Sequence, residues 1–334
     1  MSVAERFWYT IRPAHLLLYP LSLAFRAAVA VRSYSYKRGW LRSERLRVPI
    51  IVVGNITVGG TGKTPLVLWL AHLLRKHGYR PGIVTRGYGG NEQVQPVSCN
   101  SDARDSGDEA LLLARRSDCP VWAGGDRVAA CRALLGAHPE CDILISDDGL
   151  QHYRLQRDVE IALVDTERRF GNGLMLPAGP LREPIGRLKT VQAVVRNEPA
   201  AAGESEGEHY WMRLRGERLV NMIDATRVEA PSKFAVCAVH AVAGIGNPQR
   251  FFAHLRSLGL TIRPHPFPDH YQYTAEDFVF AKDEPVVMTE KDAVKCFAFA
   301  YENFWYLPVE AEVDPRLVER ILILAKNAHG RQAA

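Results

Sequence analysis

The stretch "VGNITVGGTGKTP", residues 53–65, decides the fold. Gly62-Lys63-Thr64 ends a phosphate-binding loop, in which backbone N–H groups cradle a polyphosphate, the lysine bridges its outer phosphates and the threonine hydroxyl meets magnesium. The loop residues Thr57, Val58, Gly59, Gly60, Thr61, Gly62, Lys63 and Thr64 are the candidate nucleotide site. Before them, "VPIIVVGN" (48–55) is an apolar, β-branched run of buried-strand type. After them, "PLVLWLAHLLRKHG" (65–78) has helical apolar spacing, with proline in the first turn and glycine past the end. Two positions depart from common versions of the loop: Thr57 replaces a glycine, and Val58 stands where a deviant ATPase class has lysine.

Working outward, strands and helices alternate. "RPGIVTRGYGG" (80–90), "DSGDEALLLARRS" (105–117), "CDILISDDGLQH" (141–152), "VEIALVDTE" (159–167) and "AVVRN" (193–197) predict a mostly parallel sheet covered on both faces, with ligands at the carboxyl ends of its strands. The small, polar stretch 198–211 marks a hinge. The expected organisation is an arm over 1–47, an α/β phosphate-loop domain over 48–197, a linker over 198–216 and a smaller α/β domain over 217–334.

The 334 residues, 47% of them hydrophobic, are enough for two cores. Six cysteines without a CxxC pair point to reduced thiols rather than disulfides or zinc. The net charge of +5 is concentrated in residues 1–47, where nine Lys/Arg face Glu5 and Glu44; the rest holds 33 basic and 35 acidic residues. This arm carries "HLLLYPLSLAFRAAVAV" (15–31), interrupted by Pro20 and Arg26, with Trp8, Tyr9, Tyr34, Tyr36 and Trp40 around it. It falls short of the ~20 apolar residues of a confident membrane span and reads as an interfacial helix on an anionic leaflet. A helix packed on the domain and a cleaved leader ending at 28–30 are the competing readings. Nucleic acid is a poor partner for a basic face interleaved with aliphatic residues.

Asp147-Asp148 at the end of an apolar strand has the arrangement of a magnesium-holding pair, with Gln151 and His152 following. Asp108 and Glu109 begin a helix, where acidic residues complement the dipole; a proton acceptor for an attacking hydroxyl is the alternative. Arg86, Arg127 and Arg182 stand in glycine- or proline-flanked segments suited to clamping phosphate. His270 in "PDHYQY" is a candidate proton-handling residue. "TEKD" (289–292) lacks the spacing of a guanine reader, which leaves adenine.

Together, "VGNITVGGTGKTP", "TRGYGG", "GDEA", "GGDR", "SDDGLQH", "LPAGPLREP", "GIGNPQRFF", "FPDHYQYT" and "TEKDAVK" occur in the order found in tetraacyldisaccharide 4′-kinases, the lipid A 4′-kinases of Gram-negative bacteria, which this chain resembles from the arm to near its end. The resemblance implies ATP and Mg2+ as cofactors, a P-loop α/β domain, and a smaller domain on a hinge that closes on nucleotide. It implies phosphorylation of the 4′-hydroxyl of a lipid A disaccharide precursor at the cytoplasmic face of the inner membrane, with no obligate protein partner. By motif position it makes Lys63 and Thr64 the ATP-phosphate and magnesium contacts and Asp108 the base, paired with His270. Asp147, Asp148 and Glu183 become the organisers of magnesium, and Arg127 and Arg182 the stabilisers of transferred charge. Leu150 replaces a common aromatic and is expected to affect packing alone. The rival functions are a P-loop ATPase in assembly or metal insertion, and a nucleotide-dependent membrane-binding module.

Overall fold

The computed structural model describes residues 7–10, 13–198, 209–235, 237–281 and 284–333. The expected strand, loop and helix are β1 (Ile50–Gly54), the glycine loop and α2 (Lys63–Lys76), preceded by α1 (Ala14–Lys37). There follow β2 (Pro81–Thr85), β3 (Gln95–Val97), the one-turn α3 (Ala103–Ser106), α4 (Asp108–Arg116), β4 (Val121–Ala123), α5 (Arg127–Ala137), β5 (Ile143–Asp147) and β6 (Val159–Asp165). With β7 (Ala193–Glu198), β8 (Tyr210–Arg215) and β15 (Glu310–Val313) they build a nine-stranded sheet in the order β15-β8-β7-β6-β1-β5-β2-β4-β3. It is parallel from β8 through β4, and only its two edge strands run antiparallel.

Alternation along β1 explains how the sheet is covered. Ile51 and Val53 join a core with Leu66, Leu70 and Leu74 of α2, whereas Ile50 and Val52 face Val128, Cys131 and Leu134 of α5 on the other side. Successive strand side chains point to opposite faces, so an apolar residue at every position requires helices on both. Each such fully buried aliphatic side chain contributes roughly 1.5–3 kcal/mol.

A second, six-stranded sheet has the order β10-β9-β14-β13-β11-β12. It comprises β9 (Leu219–Asn221), β10 (Val228–Glu229), β11 (Val239–Ala243), β12 (Ile262–Pro266), β13 (Val286–Thr289) and β14 (Phe304–Leu307), with α6 (Pro248–Ser257) and α7 (Glu290–Cys296).

The boundaries differ from those expected. Residues 199–208 of the expected linker lie outside the described residues, while Tyr210–Arg215 is a strand of the large sheet, with Met212 in its core. The last helix, α8 (Pro315–Ala333), also belongs to the large sheet: Leu317, Ile321 and Ala325, one turn apart, complete the same core. The smaller lobe is therefore an insertion between neighbouring strands β8 and β15.

The arm forms a helix of 24 residues, continuous through Pro20 and, by length and composition, long enough to cross a bilayer. It is held along one stripe. Phe25 and Val29 pack on Ile56, Met175 and Leu181, and the Ser22 hydroxyl donates to Met175 O at 2.8 Å while accepting from Ala178 N. Leu16 and Leu17 are 76% and 81% exposed, and Leu21 and Leu23 are exposed too.

Candidate active site

The glycine loop leaves β1 at its carboxyl end and enters α2 through Gly62, whose φ of +91° suits a residue without a side chain. No side chain caps α2, so its first-turn N–H groups stay available to an anion. A Cβ at Gly62 would lie 2.7 Å from Asn197 Nδ2, which donates to Thr61 O at 2.9 Å. Thr57 is buried, accepts from Asn55 Nδ2, and is bridged to Leu181; Val58 N donates to Pro180 O at 2.8 Å. The backbone at 57 and 58 thus seats the loop against the 175–181 segment that also carries α1.

Adjacent strand ends bring the carboxylates to this loop. Lys63 Nζ lies 3.4 Å from both Asn55 Oδ1 and Asp148 Oδ1, and Arg182 Nη1 lies 3.1 Å from Asp148 Oδ2. Burial works against the Asp148 charge, but Lys63 and Arg182 outweigh it and hold its pKa down at about 2. Asp147, fully buried at the end of β5, goes the other way, to about 7, through burial and the nearby Glu109 carboxylate. Its Oδ2 accepts from Thr85 Oγ1, whereas its Oδ1 is buried without a hydrogen-bond partner. An orphaned carboxylate oxygen beside a second carboxylate and a threonine-bearing phosphate loop is a fitting donor set for a divalent cation.

Arg127 and Glu183 are each held by neighbours of their own. Arg127 is the buried first residue of α5, not an open-loop clamp; it donates to Gly124 O at 2.6 Å and to Asp147 O at 3.3 Å. Its burial brings its pKa down to about 10, opposed by Asp147 and Asp148. Glu183, expected to help organise magnesium, is engaged by three neighbours in this structure. Its carboxylate accepts from Gln151 Nε2 and Tyr153 OH, each at 3.0 Å, and from Arg187 Nε. Among the described residues no three Asp, Glu, His or Cys side chains converge in ligand geometry. Gln151 is a brace between Glu183 and Asn55 O, and Leu150 is core packing against Gly54. Arg86 pairs with Glu92 at 3.0 Å.

Asp108 and His270 meet across the two lobes. Asp108 begins α4 and is 3% exposed; His270 Nδ1, from the smaller lobe, lies 3.0 Å from both of its carboxylate oxygens. His270 has φ +59° and stacks edge-on with Tyr88 of the loop after β2. Two lysines of α7 complete the surroundings: Lys291 Nζ is 4.0 Å and Lys295 Nζ 3.8 Å from Asp108 Oδ2. Burial alone would raise the Asp108 pKa, but Lys291, His270 and Lys295 together hold it below the usual carboxylate value. Sequence reasoning missed both lysines and Asn197; the only available sign was the four-residue spacing within "TEKDAVK".

A phosphate loop, an orphaned aspartate oxygen and an aimed, anionic carboxylate suit phosphoryl transfer to a hydroxyl. Comparison with known proteins agrees. The profile of the family described as tetraacyldisaccharide-1-P 4'-kinase matches residues 14–326. The chain belongs to that family. This kinase is 51% identical over 329 residues to the tetraacyldisaccharide 4'-kinase of Nitrosococcus oceani, covering 98% of this chain and 95% of the relative. It is 50% identical to that of Azoarcus sp. over 337 residues, covering 100% and 98%. Its fold is similar to the crystal structure of an "apo" form of LpxK from Aquifex aeolicus in complex with ATP, with TM-score 0.78 and 29% identity over 93% of this chain and 99% of that one. The kinase is thus an enzyme of lipid A biosynthesis, and family membership sets aside the assembly-factor reading.

Proposed function

We propose that this kinase transfers the γ-phosphate of ATP to the 4′-hydroxyl of a tetraacylated glucosamine disaccharide 1-phosphate, with Asp108 receiving the hydroxyl proton. The observation that carries this reading is the Asp108–His270 pair at 3.0 Å, placed on a strand-end rim shared with the phosphate loop. Loose phosphoryl transfer moves little charge onto the attacking oxygen until late. Its acceptor therefore needs to be unprotonated and aimed rather than strongly basic. His270 Nδ1–H orients the carboxylate by donating to it.

Lys63 and the first-turn N–H groups of α2 hold the ATP phosphates. Thr64, Asp147 and Asp148 would hold Mg2+, which when bound would offset phosphate charge. Arg182, beside Asp148, is the source of positive charge for the transferred group, with the buried Arg127 charge behind the Asp147 main chain. Glu183 braces that wall through Gln151, Tyr153 and Arg187.

The exposed leucines of α1 and the basic arm lie in the cytoplasmic surface of the inner membrane, where the acceptor resides. Three units work together: the arm, the large-sheet lobe with its returning strand β15 and helix α8, and the inserted small lobe that closes on nucleotide. No protein partner is required.

The test is incubation of the full-length kinase with γ-labelled ATP, Mg2+ and the tetraacyl disaccharide 1-phosphate. Label is expected on the lipid's 4′ position; nucleotide binding without any labelled lipid would sink the reading. In the Asp108→Ala protein ATP affinity should hold while turnover falls by at least about a hundredfold, the usual scale of general acid–base assistance.

A further inference from the structure

The motif "TEKDAVK" (289–295) lacks the spacing of a guanine reader, yet its side chains are heavily hydrogen-bonded. Thr289 caps α7: its Oγ1 accepts from Asp292 N at 3.1 Å and donates to Asp292 Oδ2 at 2.6 Å. Asp292 is fully buried. It also accepts from Gly244 N, Tyr273 OH and Lys295 Nζ. Lys295, over the Tyr273 ring at 4.9 Å, is thereby fixed. Four residues apart on one helix face, Lys291 and Lys295 both point at Asp108 of the other lobe.

Lys291 Nζ reaches His270 Nε2 at 3.3 Å, Glu109 Oε1 at 3.1 Å and Asp269 Oδ1 at 3.4 Å. An ammonium has hydrogens to give and no lone pair to receive. The ring nitrogen it meets must therefore accept, and the remaining hydrogen of a neutral imidazole must sit on Nδ1. That is the nitrogen facing Asp108.

We infer that Lys291 is a positioning residue: it fixes His270 in the Nδ1–H tautomer, so that the imidazole donates to Asp108 and aims the carboxylate's free lone pair at the acceptor hydroxyl. Lys295 adds a second positive charge at the same carboxylate oxygen, Oδ2. The charged and titratable groups facing His270 are Asp108 and Glu109 of α4, Asp269 of its own loop, and Lys291 with Lys295 behind it on α7; Tyr88 covers the ring. Burial opposes the Lys291 charge, but Glu109, Asp108 and Asp269 outweigh it and raise its pKa, so the ammonium persists across the working range. The inference rests on reading Asp108 as the proton acceptor.

The test is 15N NMR of the full-length kinase with labelled histidine, the His270 ring assigned by its loss in His270→Gln, alongside steady-state kinetics. In the wild-type protein His270 should show the pattern of protonated Nδ1 and unprotonated Nε2. Lys291→Met should populate the Nε2–H tautomer and lower kcat about tenfold or more, with the KM for ATP unchanged. Lys291→Arg, which keeps a charged donor, should keep the Nδ1–H signal and recover most of kcat. An unchanged tautomer in Lys291→Met overturns the inference whatever happens to kcat, and so does a changed tautomer with unaltered kcat. If Lys291→Met does not fold, the Arg variant decides: loss of Nδ1–H there overturns the inference, and its retention upholds it. Wild-type turnover in Asp108→Asn would remove the proton-acceptor reading instead, and would leave the Lys291–His270 bond measurable.

Discussion

Gly62 carries two constraints at one Cα: a left-handed φ of +91° and a wall formed by Asn197 Nδ2. An alanine there would cost roughly 1–2 kcal/mol for the backbone conformation and would push the side chain that holds Thr61 O. Gly62→Ala is expected to lower the melting temperature by several degrees and ATP affinity by at least about tenfold, read by thermal shift and calorimetry. An unperturbed variant would mean the loop tolerates a different entry into α2. His152 supplies a pH signature. Burial first, and then the Arg127 charge, push its pKa down from 6.5 to about 4. The folded protein keeps this ring neutral while the unfolded chain takes a proton below about 6.5, so the stability it allows is lost as pH falls from about 6.5 to about 4. Urea midpoints should fall across that window in the wild-type protein and fall less steeply in His152→Gln; parallel curves would discount the site. The convergence of Lys63 with Asp147 and Asp148 was legible in the sequence because each stands at the end of one strand or the start of one helix. Lys291 and Lys295 were not, because what distinguishes them is an aspartate some 180 positions earlier that only the fold brings to them.

At the scale of elements, α7 depends on its cap. Thr289→Ala removes both bonds to Asp292. It should cost about 1 kcal/mol and reduce turnover beyond what that instability explains, since both lysines ride on this helix. Denaturation midpoints and kcat measured well below the melting temperature separate the two effects. In α1 the stripe bearing Phe25, Val29 and Ser22 is bound to the protein, while Leu16, Leu17 and Leu21 face outward. Changing those three leucines to serine should leave the melting temperature unchanged and weaken sedimentation with anionic vesicles by about tenfold or more. Loss of thermal stability instead would make this face part of a protein interface. The helix was readable from its apolar run, but the stripe that binds the protein was not. Its partners Met175 and Leu181 come from a loop whose path no periodicity specifies.

For the whole molecule, the alternating strand and helix pattern predicted a mostly parallel sheet with two covered faces, and β1, β2 and β4 through β7 fulfil it, with β3 antiparallel at the edge. The failure lay at the chain's end. β15 is short and polar, "EAEV", and its membership of the large sheet depends on β8, itself hidden beyond a polar stretch. Truncation after Val309 should therefore abolish cooperative folding of the large lobe, since it strips the β8 edge and removes Leu317, Ile321 and Ala325 from the core. A truncated protein with a wild-type unfolding transition would restore residues 310–333 to the small lobe.

The insertion has a mechanical consequence. The chain crosses into the small lobe after Arg215 and returns before Glu310, and these crossings run side by side: a Cβ at Gly216 would lie 2.9 Å from Pro308 O. Two tethers so close together would act like the pins of a single hinge, permitting swing about one axis and resisting twist and slide. His270, Lys291 and Lys295 all belong to the inserted lobe and Asp108 to the other, so any such swing would make or break their contacts with Asp108 together. Were the small lobe to swing open, a phosphate loop already holding ATP would face no aimed carboxylate.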